Sequence, residues 1–244
     1  MQIKKCDESK ITREFSRFAH SYETYNVIQL EVAKELIENL HYKRHKYIVD
    51  IGCGSGAVYK NITQKAICFE RFVALDASKE MLSLHPNSNN IHKYHADFNV
   101  LKTYDKLGID VDKTLILSSS ALQWSKDLKF TFKQLSKRGS KAYFAIFTAG
   151  TFRTLHQTAK IESPIYTTQE LKLNIEKYYR ANFLLKMYRL EFKTVKDMFS
   201  YIKKSGVSGG KKQLTYKQTK ELMKNYPLKY LEFEVLFVEG TPLA

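Results

Sequence analysis

Residues 47–56 read Tyr-Ile-Val-Asp-Ile-Gly-Cys-Gly-Ser-Gly, an apolar run that ends in three alternate glycines. Such a run is a short strand leading into a loop whose backbone can press against a ligand where side chains would clash. A helix after it completes a strand, loop and helix unit, which commits the chain to an α/β fold. The spacing of Gly52, Gly54 and Gly56 is G-x-G-x-G. The dinucleotide fingerprint G-x-G-x-x-G needs its third glycine one position later, where Ala57 stands, and fits poorly with an acid before the first glycine. Asp50, the acid here, suits a ligand that carries an ammonium group.

The pattern on either side extends the unit. Phe15, Phe18, Ala19 and Tyr22, then Ile28, Val32 and Leu36 or Ile37, recur at three- and four-residue spacing, which predicts two amphipathic helices before the first strand. Phe72 to Leu75 reads as a strand ending at Asp76, with a helix over Ser78 to Leu84. Thr114 to Leu117 repeats the strand pattern before a Ser118-Ser119-Ser120 turn, and Asp127 to Lys137 reads as a helix with Leu128, Phe132 and Leu135 inward. Ala142 to Phe147 is a further strand. Buried strands alternating with helices predict a doubly wound, mostly parallel sheet. Ligands in such folds sit at the carboxyl ends of the strands, where Gly52, Asp76 and Ser118 all fall.

The rhythm changes after Phe147. A helical insertion is expected there, then a strand over Phe183 to Phe192, helices over Thr194 to Ser205 and Leu214 to Asn225, and a closing strand over Glu232 to Val238. At 244 residues the chain fits one domain. Its parts are then an N-terminal helical lid (1–45), a cofactor-binding core (46–147), a helical substrate-binding insertion (148–182) and a C-terminal part that completes the sheet (183–244).

Bulk properties bound the environment and the partners. No apolar run approaches the roughly 18 residues of a membrane span, and the first residues are polar, so a cytoplasmic protein is expected. Cys6, Cys53 and Cys68 are too scattered for a disulfide framework or a metal site, which predicts free thiols and no metal. The net charge of +15 is uneven: residues 121–244 hold 23 basic and 10 acidic residues (+13), which leaves 17 and 15 (+2) for residues 1–120. The second half would steer an acidic partner toward the protein.

Two further acids sharpen the ligand. Asp76 lies 20 residues after Gly56, where a carboxylate can take both hydroxyls of a ribose. Asp97, expected at the end of a third strand, could accept from an adenine amino group while Phe98 or Ala77 covers the ring. Taken together, Asp50, Gly52, Gly54, Gly56, Asp76 and Asp97 resemble the class I S-adenosylmethionine-dependent methyltransferases. That resemblance implies a seven-stranded Rossmann-like sheet and a cofactor set of Asp50, Gly52, Cys53, Gly54, Asp76, Ala77, Asp97, Phe98 and Ser118. Cys53 reads as a small residue facing the cofactor rather than as a nucleophile.

The acceptor is read from other segments. Methyltransferases of nucleic-acid amines usually carry Pro-Pro-aromatic after the fourth strand; here Leu117 is followed by Ser118-Ser119-Ser120-Ala121-Leu122-Gln123-Trp124, with no proline near. Ala121 to Trp124, the pattern Phe15-x-x-x-Ala19-x-x-Tyr22 with Gln29, and Thr151-Phe152-x-x-Leu155-His156-Gln157 with Ser163-Pro164 resemble the malonyl-acyl carrier protein O-methyltransferases of biotin synthesis. The resemblance covers about Phe15 to Gly206 and departs at Lys137-Arg138-Gly139-Ser140, where many relatives have Pro-Gly-Gly. It implies methyl transfer to the free carboxylate of a malonyl thioester on an acidic acyl carrier protein. A carboxylate is already ionised at neutral pH, so no general base is needed, only placement in a dry site and a cation for the anion. Tyr22 and Trp124 are the expected walls, Arg153 or Arg138 the cation, and Gln123 and His156 further substrate contacts. The alternative acceptors are an RNA or a small molecule.

Overall fold

A computed structural model describes residues 12, 13, 16, 17, 25–41, 43–105, 107, 110–204 and 214–243. The first complete element is helix α1 (Val27–Glu38), whose Ile28, Val32, Ala33, Leu36 and Ile37 form one buried stripe. The strands are β1 (Arg44–Ile51), β2 (Cys68–Asp76), β3 (Ile91–His95), β4 (Thr114–Ser119), β5 (Lys141–Phe147), β6 (Tyr179–Glu191) and β7 (Tyr230–Pro242). Between them run α2 (Ala57–Gln64), α3 (Lys79–Leu84), α4 (Leu101–Asp105), α5 (Leu128–Ser136), α6 (Arg153–Ala159), α7 (Thr168–Ile175), α8 (Val195–Lys204) and α9 (Tyr216–Asn225). The strands form one seven-stranded sheet in the order β3-β2-β1-β4-β5-β7-β6, and β7 alone runs against the rest.

Side-chain parity explains the apolar strands. Ile48, Phe72, Leu115, Leu117 and Ala145 join the α1 residues in the core on one face, while Val49, Ile51, Val73, Leu75, Ile116 and Phe144 build the core on the other. Asp50, two residues after Ile48, therefore points to the α1 face. The chain winds outward from β1 to β3 and returns beside β1 as β4, so the sheet changes winding direction between β1 and β4. The loops after these strands part there and leave a crevice.

Local signals set the ends of the helices. Asp127 accepts from Phe130 N to start α5, Ser78 accepts from Met81 N to start α3, and Thr167 with Glu170 and Thr215 with Gln218 form capping boxes before α7 and α9. The sheet extends past the sequence reading at its last two strands. β6 begins at Tyr179 rather than Phe183, and β7 spans Tyr230–Pro242 rather than Glu232 to Val238. Tyr179-Arg180-Ala181-Asn182 has no apolar run, but β7 pairs with it through Gly240, where a Cβ would sit 2.9 Å from the Tyr179 ring. The expected helix over Phe15 to Tyr22 rests on Phe15, Phe18, Ala19 and Tyr22, which lie outside the described residues. Among the described residues no helix is long and apolar enough to cross a membrane.

Candidate active site

The loops after β1, β2, β3 and β4 line one pocket with the first turns of α1. Its floor is the glycine loop. Gly52, Gly54 and Gly56 all hold positive φ (+71°, +53° and +89°), and a Cβ at Gly52 would sit 2.3 Å from the Cβ of Ala121. A side chain is therefore excluded at Gly52 by both backbone conformation and space. The loop is tied to the end of β2: Gly52 N and Cys53 N donate to Leu75 O at 2.8 and 3.0 Å, and Gly54 N donates to Asp76 Oδ2 at 2.8 Å. The other Asp76 oxygen accepts from Ser78 N at 2.8 Å. Asp76 is half-buried and lines the pocket with Ala77, Asp97 and Phe98. Asp97 Oδ1 accepts from Asn99 N and Nδ2, and the loop carrying it is pinned where Tyr104 Oη donates to Phe98 O at 2.6 Å.

Two acids, Asp50 fully buried and Asp76 half-buried, set the electrostatics of the pocket. Burial first, then the neighbouring Asp76, pushes the Asp50 carboxyl well above its ordinary value, and neither of its oxygens accepts a hydrogen bond. Burial also raises Asp76, opposed by the N–H groups of Ser78, Gly54 and Ala77. Asp50 is fully buried and does not line the pocket, so it reaches a ligand through its field rather than by contact. Cys53 is buried in the same loop, and burial, Asp76 and Asp50 together raise its thiol, which stays protonated and unsuited to attack.

A second cleft adjoins the first at Trp124 and Lys126, which line both. Gln123, Arg153, His156, Lys160, Ser163, Pro164 and Tyr166 line the rest with the start of α5. Arg153 is exposed and enters no ion pair among the described residues. His156 is half-buried, its Nδ1 has no hydrogen-bond partner, and burial lowers its pKa so that it is neutral at neutral pH. The turn before α6 is held from β7: Phe152 N donates to Glu232 O at 2.8 Å, and Thr154 N and Oγ1 donate to the Glu232 carboxylate at 3.0 and 2.9 Å. Those bonds hold Phe152 at φ +56°, a left-handed conformation that costs a bulky residue about 1–3 kcal/mol. Glu234 accepts from Thr148 and Thr168 and fills the space beside Gly150.

The fold and residues 49–139 have counterparts among known proteins. Residues 49–139 match the model of a methyltransferase domain family. A malonyl-acyl-carrier-protein O-methyltransferase of Hamiltonella defensa is 30% identical over 159 residues, 64% of this chain and 58% of that protein. The protein of the same name from Buchnera aphidicola is 26% identical over 238 residues, 91% of this chain and 92% of its own length. The YcgJ protein of Bacillus subtilis superposes with a TM-score of 0.63 at 10% identity, over 86% of this chain and 97% of that one, which is a likeness of fold. The chain carries a methyltransferase domain on the seven-stranded class I methyltransferase fold.

The pocket of this methyltransferase fits its cofactor on the structure's own terms. Two orphaned carboxyl oxygens beneath a glycine-rich loop, with a second carboxylate on the pocket wall, suit a cationic ligand bearing a ribose. A pH dependence follows. The native state holds the Asp50 proton above the unfolded value, so this group's contribution to stability is greatest below the unfolded pKa and is lost as pH rises through the folded one. A bound cation lowers the Asp50 pKa, so binding expels a proton and affinity rises with pH across that interval. Calorimetric titration of S-adenosylmethionine in buffers of different ionisation enthalpy reads the proton directly; no proton release at mildly acidic pH would refute the coupling.

The methyltransferase brings most of the expected site residues together and leaves Asp50, Ser118 and Arg138 off both linings. Gly52, Cys53, Gly54, Asp76, Ala77, Asp97 and Phe98 line the first pocket, and Gln123, Trp124, Arg153 and His156 line the second cleft. Ser118 does neither: its hydroxyl is fully buried and donates to Ile51 O at 2.7 Å, while Ser119 and Ser120 face the pocket. Arg138 lines neither, because the α5–β5 turn lies at the amino ends of the strands, where Ser140 N bonds Thr114 O; its guanidinium pairs with Asp105 at 3.8 Å. Tyr22 lies outside the described residues. Gln123 points its amide nitrogen at Ser120 O (2.6 Å) and so also braces the turn, whose Ser120 holds φ +60°. Thr12, Asn26, Gln29, Met81, Asn99, Ser119, Ser120 and Lys126 line the first pocket without having been expected as cofactor contacts. Gln29 belonged to an N-terminal pattern, and Ser119 and Ser120 to a marked turn; the others carried no signal.

Proposed function

We propose that this methyltransferase transfers the methyl group of S-adenosylmethionine to the free carboxylate of a malonyl thioester on an acyl carrier protein. The product is the methyl ester, the reaction expected of a biotin-synthesis enzyme. The observation that carries the proposal is the second cleft that meets the donor pocket at Trp124, where Lys126, Lys129, Arg153 and Lys160 stand against Asp127, Glu162 and Glu170 and Arg153 enters no ion pair among the described residues. The names of the Hamiltonella and Buchnera relatives support it.

In this reading the cofactor, when bound, supplies an electrophilic methyl group, and the chain's residues hold and place the partners. The glycine loop, Asp76, Asp97 and Phe98 hold the donor under the field of Asp50. Trp124 walls the junction and excludes water, the role also expected of Tyr22, which lies outside the described residues. Arg153 takes the malonyl carboxylate in its guanidinium fork, with Gln123 and His156 as polar neighbours. The attacking oxygen is ionised without a base, which agrees with a cleft whose one histidine is neutral and whose thiol neighbour is silent. The segment 148–182 builds the acceptor side, and among the described residues before β1, Thr12, Asn26 and Gln29 line the donor pocket while Ser16 Oγ lies 2.9 Å from Ser78 Oγ.

The test is direct. Purified protein with S-adenosylmethionine and malonyl carrier protein is expected to add the mass of one methyl group to the carrier, lost on mild alkaline treatment; no gain over a boiled control refutes the acceptor. Glu232→Ala adds a second check on the cleft. It leaves Thr154 N–H and hydroxyl without their acceptor and is expected to destabilise by about 1–3 kcal/mol. KM for the carrier substrate should rise by roughly tenfold, about 1.4 kcal/mol of misplaced α6, while cofactor affinity stays at the wild-type value.

A further inference from the structure

Between residues 126 and 160 the sequence places eight cations, Lys126, Lys129, Lys133, Lys137, Arg138, Lys141, Arg153 and Lys160, against one acid, Asp127. The structure sorts them. Arg138 and Lys141, away from the second cleft, are met by Asp105 and Glu239 at 3.8 and 3.5 Å. Lys129, Lys133 and Lys137 are exposed and enter no ion pair among the described residues. Lys129 and Lys133 stand four residues apart on α5 and Lys137, four further on, caps its C-terminus, so the three follow one face over about 12 Å of helix axis. The opposite face, Leu128, Thr131, Phe132 and Leu135, is buried in the core and fixes which way the lysines point. The row starts at the cleft: Lys126, Asp127, Leu128 and Lys129 line it, as Arg153 and Lys160 do from the other side.

Charge left uncompensated along a helix that leads into a substrate cleft fits a partner bearing its own row of acids. We infer that the Lys129–Lys133–Lys137 face of α5 is the docking surface for the acidic carrier protein, which lies along α5 and sends its thioester arm past Lys129 into the cleft. This rests on the acceptor proposed above and assigns which of the many lysines the carrier meets. A competing row exists on α9, where Lys217, Lys220 and Lys224 recur at helical spacing, but none of them lines the cleft.

The experiment compares two charge-reversed proteins of equal net charge, K133E/K137E on α5 and K217E/K220E on α9; neither pair lines a pocket. Binding of fluorescently labelled malonyl carrier protein is measured by anisotropy, and methylation is measured on the carrier and on a malonyl thioester of a short thiol. For the α5 protein, Kd and KM for the carrier should rise at least tenfold and their salt dependence should flatten, with the short thioester turned over at the wild-type rate. The α9 protein should match wild type within a factor of two or so. The milder K133Q/K137Q should show the same pattern at smaller size, and an unchanged melting temperature for either α5 variant excludes a folding defect. Equal losses in the α5 and α9 proteins, no loss in either, or a wild-type protein that does not bind the carrier each overturn the docking surface. A wild-type protein that binds the carrier through α5 and methylates neither substrate refutes the acceptor and leaves the surface standing.

Discussion

Asp76→Ala is expected to weaken binding of S-adenosylhomocysteine by roughly 100-fold, about 2.7 kcal/mol, measured by calorimetric titration. The figure comes from three losses and one gain. Gly54 N and Ser78 N, both at 2.8 Å from the carboxylate, lose their acceptor, and a buried donor without one costs about 1–3 kcal/mol. The loop then loses the tie that holds Gly54 against the end of β2. The ribose loses hydrogen bonds to a charged acceptor, worth about 1.5–3 kcal/mol each. Against these stands the relief of a carboxylate that burial already disfavours, and that relief keeps the sum below the total of its parts. Asp76→Asn keeps the shape and one acceptor but sets an amide NH2 against a backbone N–H, so an intermediate loss is expected. At saturating cofactor, KM for the acceptor should hardly move, because Asp76 lines the first pocket alone. A Kd within threefold of wild type for Asp76→Ala would remove this residue from the donor site.

The contrast between Asp76 and Ser118 marks what the sequence could carry. Both end apolar runs, and the strand period places both at the carboxyl edge of the sheet. Asp76 is the last residue of β2 and turns toward the crevice; Ser118 is the last but one of β4, and parity sends its hydroxyl inward to Ile51 O. A shift of one residue in a strand end exchanges inside for outside, and sequence pattern fixes strand ends less firmly than strand centres. Arg138 failed for a different reason. Its neighbours mark a turn but not which end of the sheet the turn occupies, and only the order of strand and helix, α5 then β5, puts it at the amino ends. Gln123, Trp124, Arg153 and His156 were found through motif resemblance, and the fold unites them across the insertion, which no local pattern describes. Asn26, Asn99 and Met81 reach the pocket from turns and helix faces whose aim depends on packing alone. The early strands were legible because both of their faces are buried, which makes each a continuous apolar run, while the start of β6 was hidden because its outer edge is polar.

Arg153→Ala should lower kcat/KM for the malonyl carrier by roughly 100- to 1000-fold, about 3–4 kcal/mol. A guanidinium holds a carboxylate through two charge-assisted hydrogen bonds of about 1.5–3 kcal/mol each, and part of that is recovered by water when the side chain is gone. The residue is placed to do so: it is exposed, it stands at the first position of α6, and it enters no ion pair among the described residues. Its backbone is held from β7 through Phe152 and Thr154, so truncation of the side chain leaves α6 in place and stability near wild type. Arg153→Lys is expected to recover no more than about a tenth of the lost rate, since an ammonium supplies the charge without the planar fork. Guanidinium ion added to Arg153→Ala should restore activity in proportion to its concentration, a response that a merely structural role does not give. Cofactor affinity should stay unchanged in both variants, the reverse of the Asp76 pattern, because Arg153 lines only the second cleft. If Arg153→Ala keeps its kcat/KM within threefold of wild type, the carboxylate is held by another cation of the same cleft, and Lys129 and Lys160 on its two sides are the next to replace.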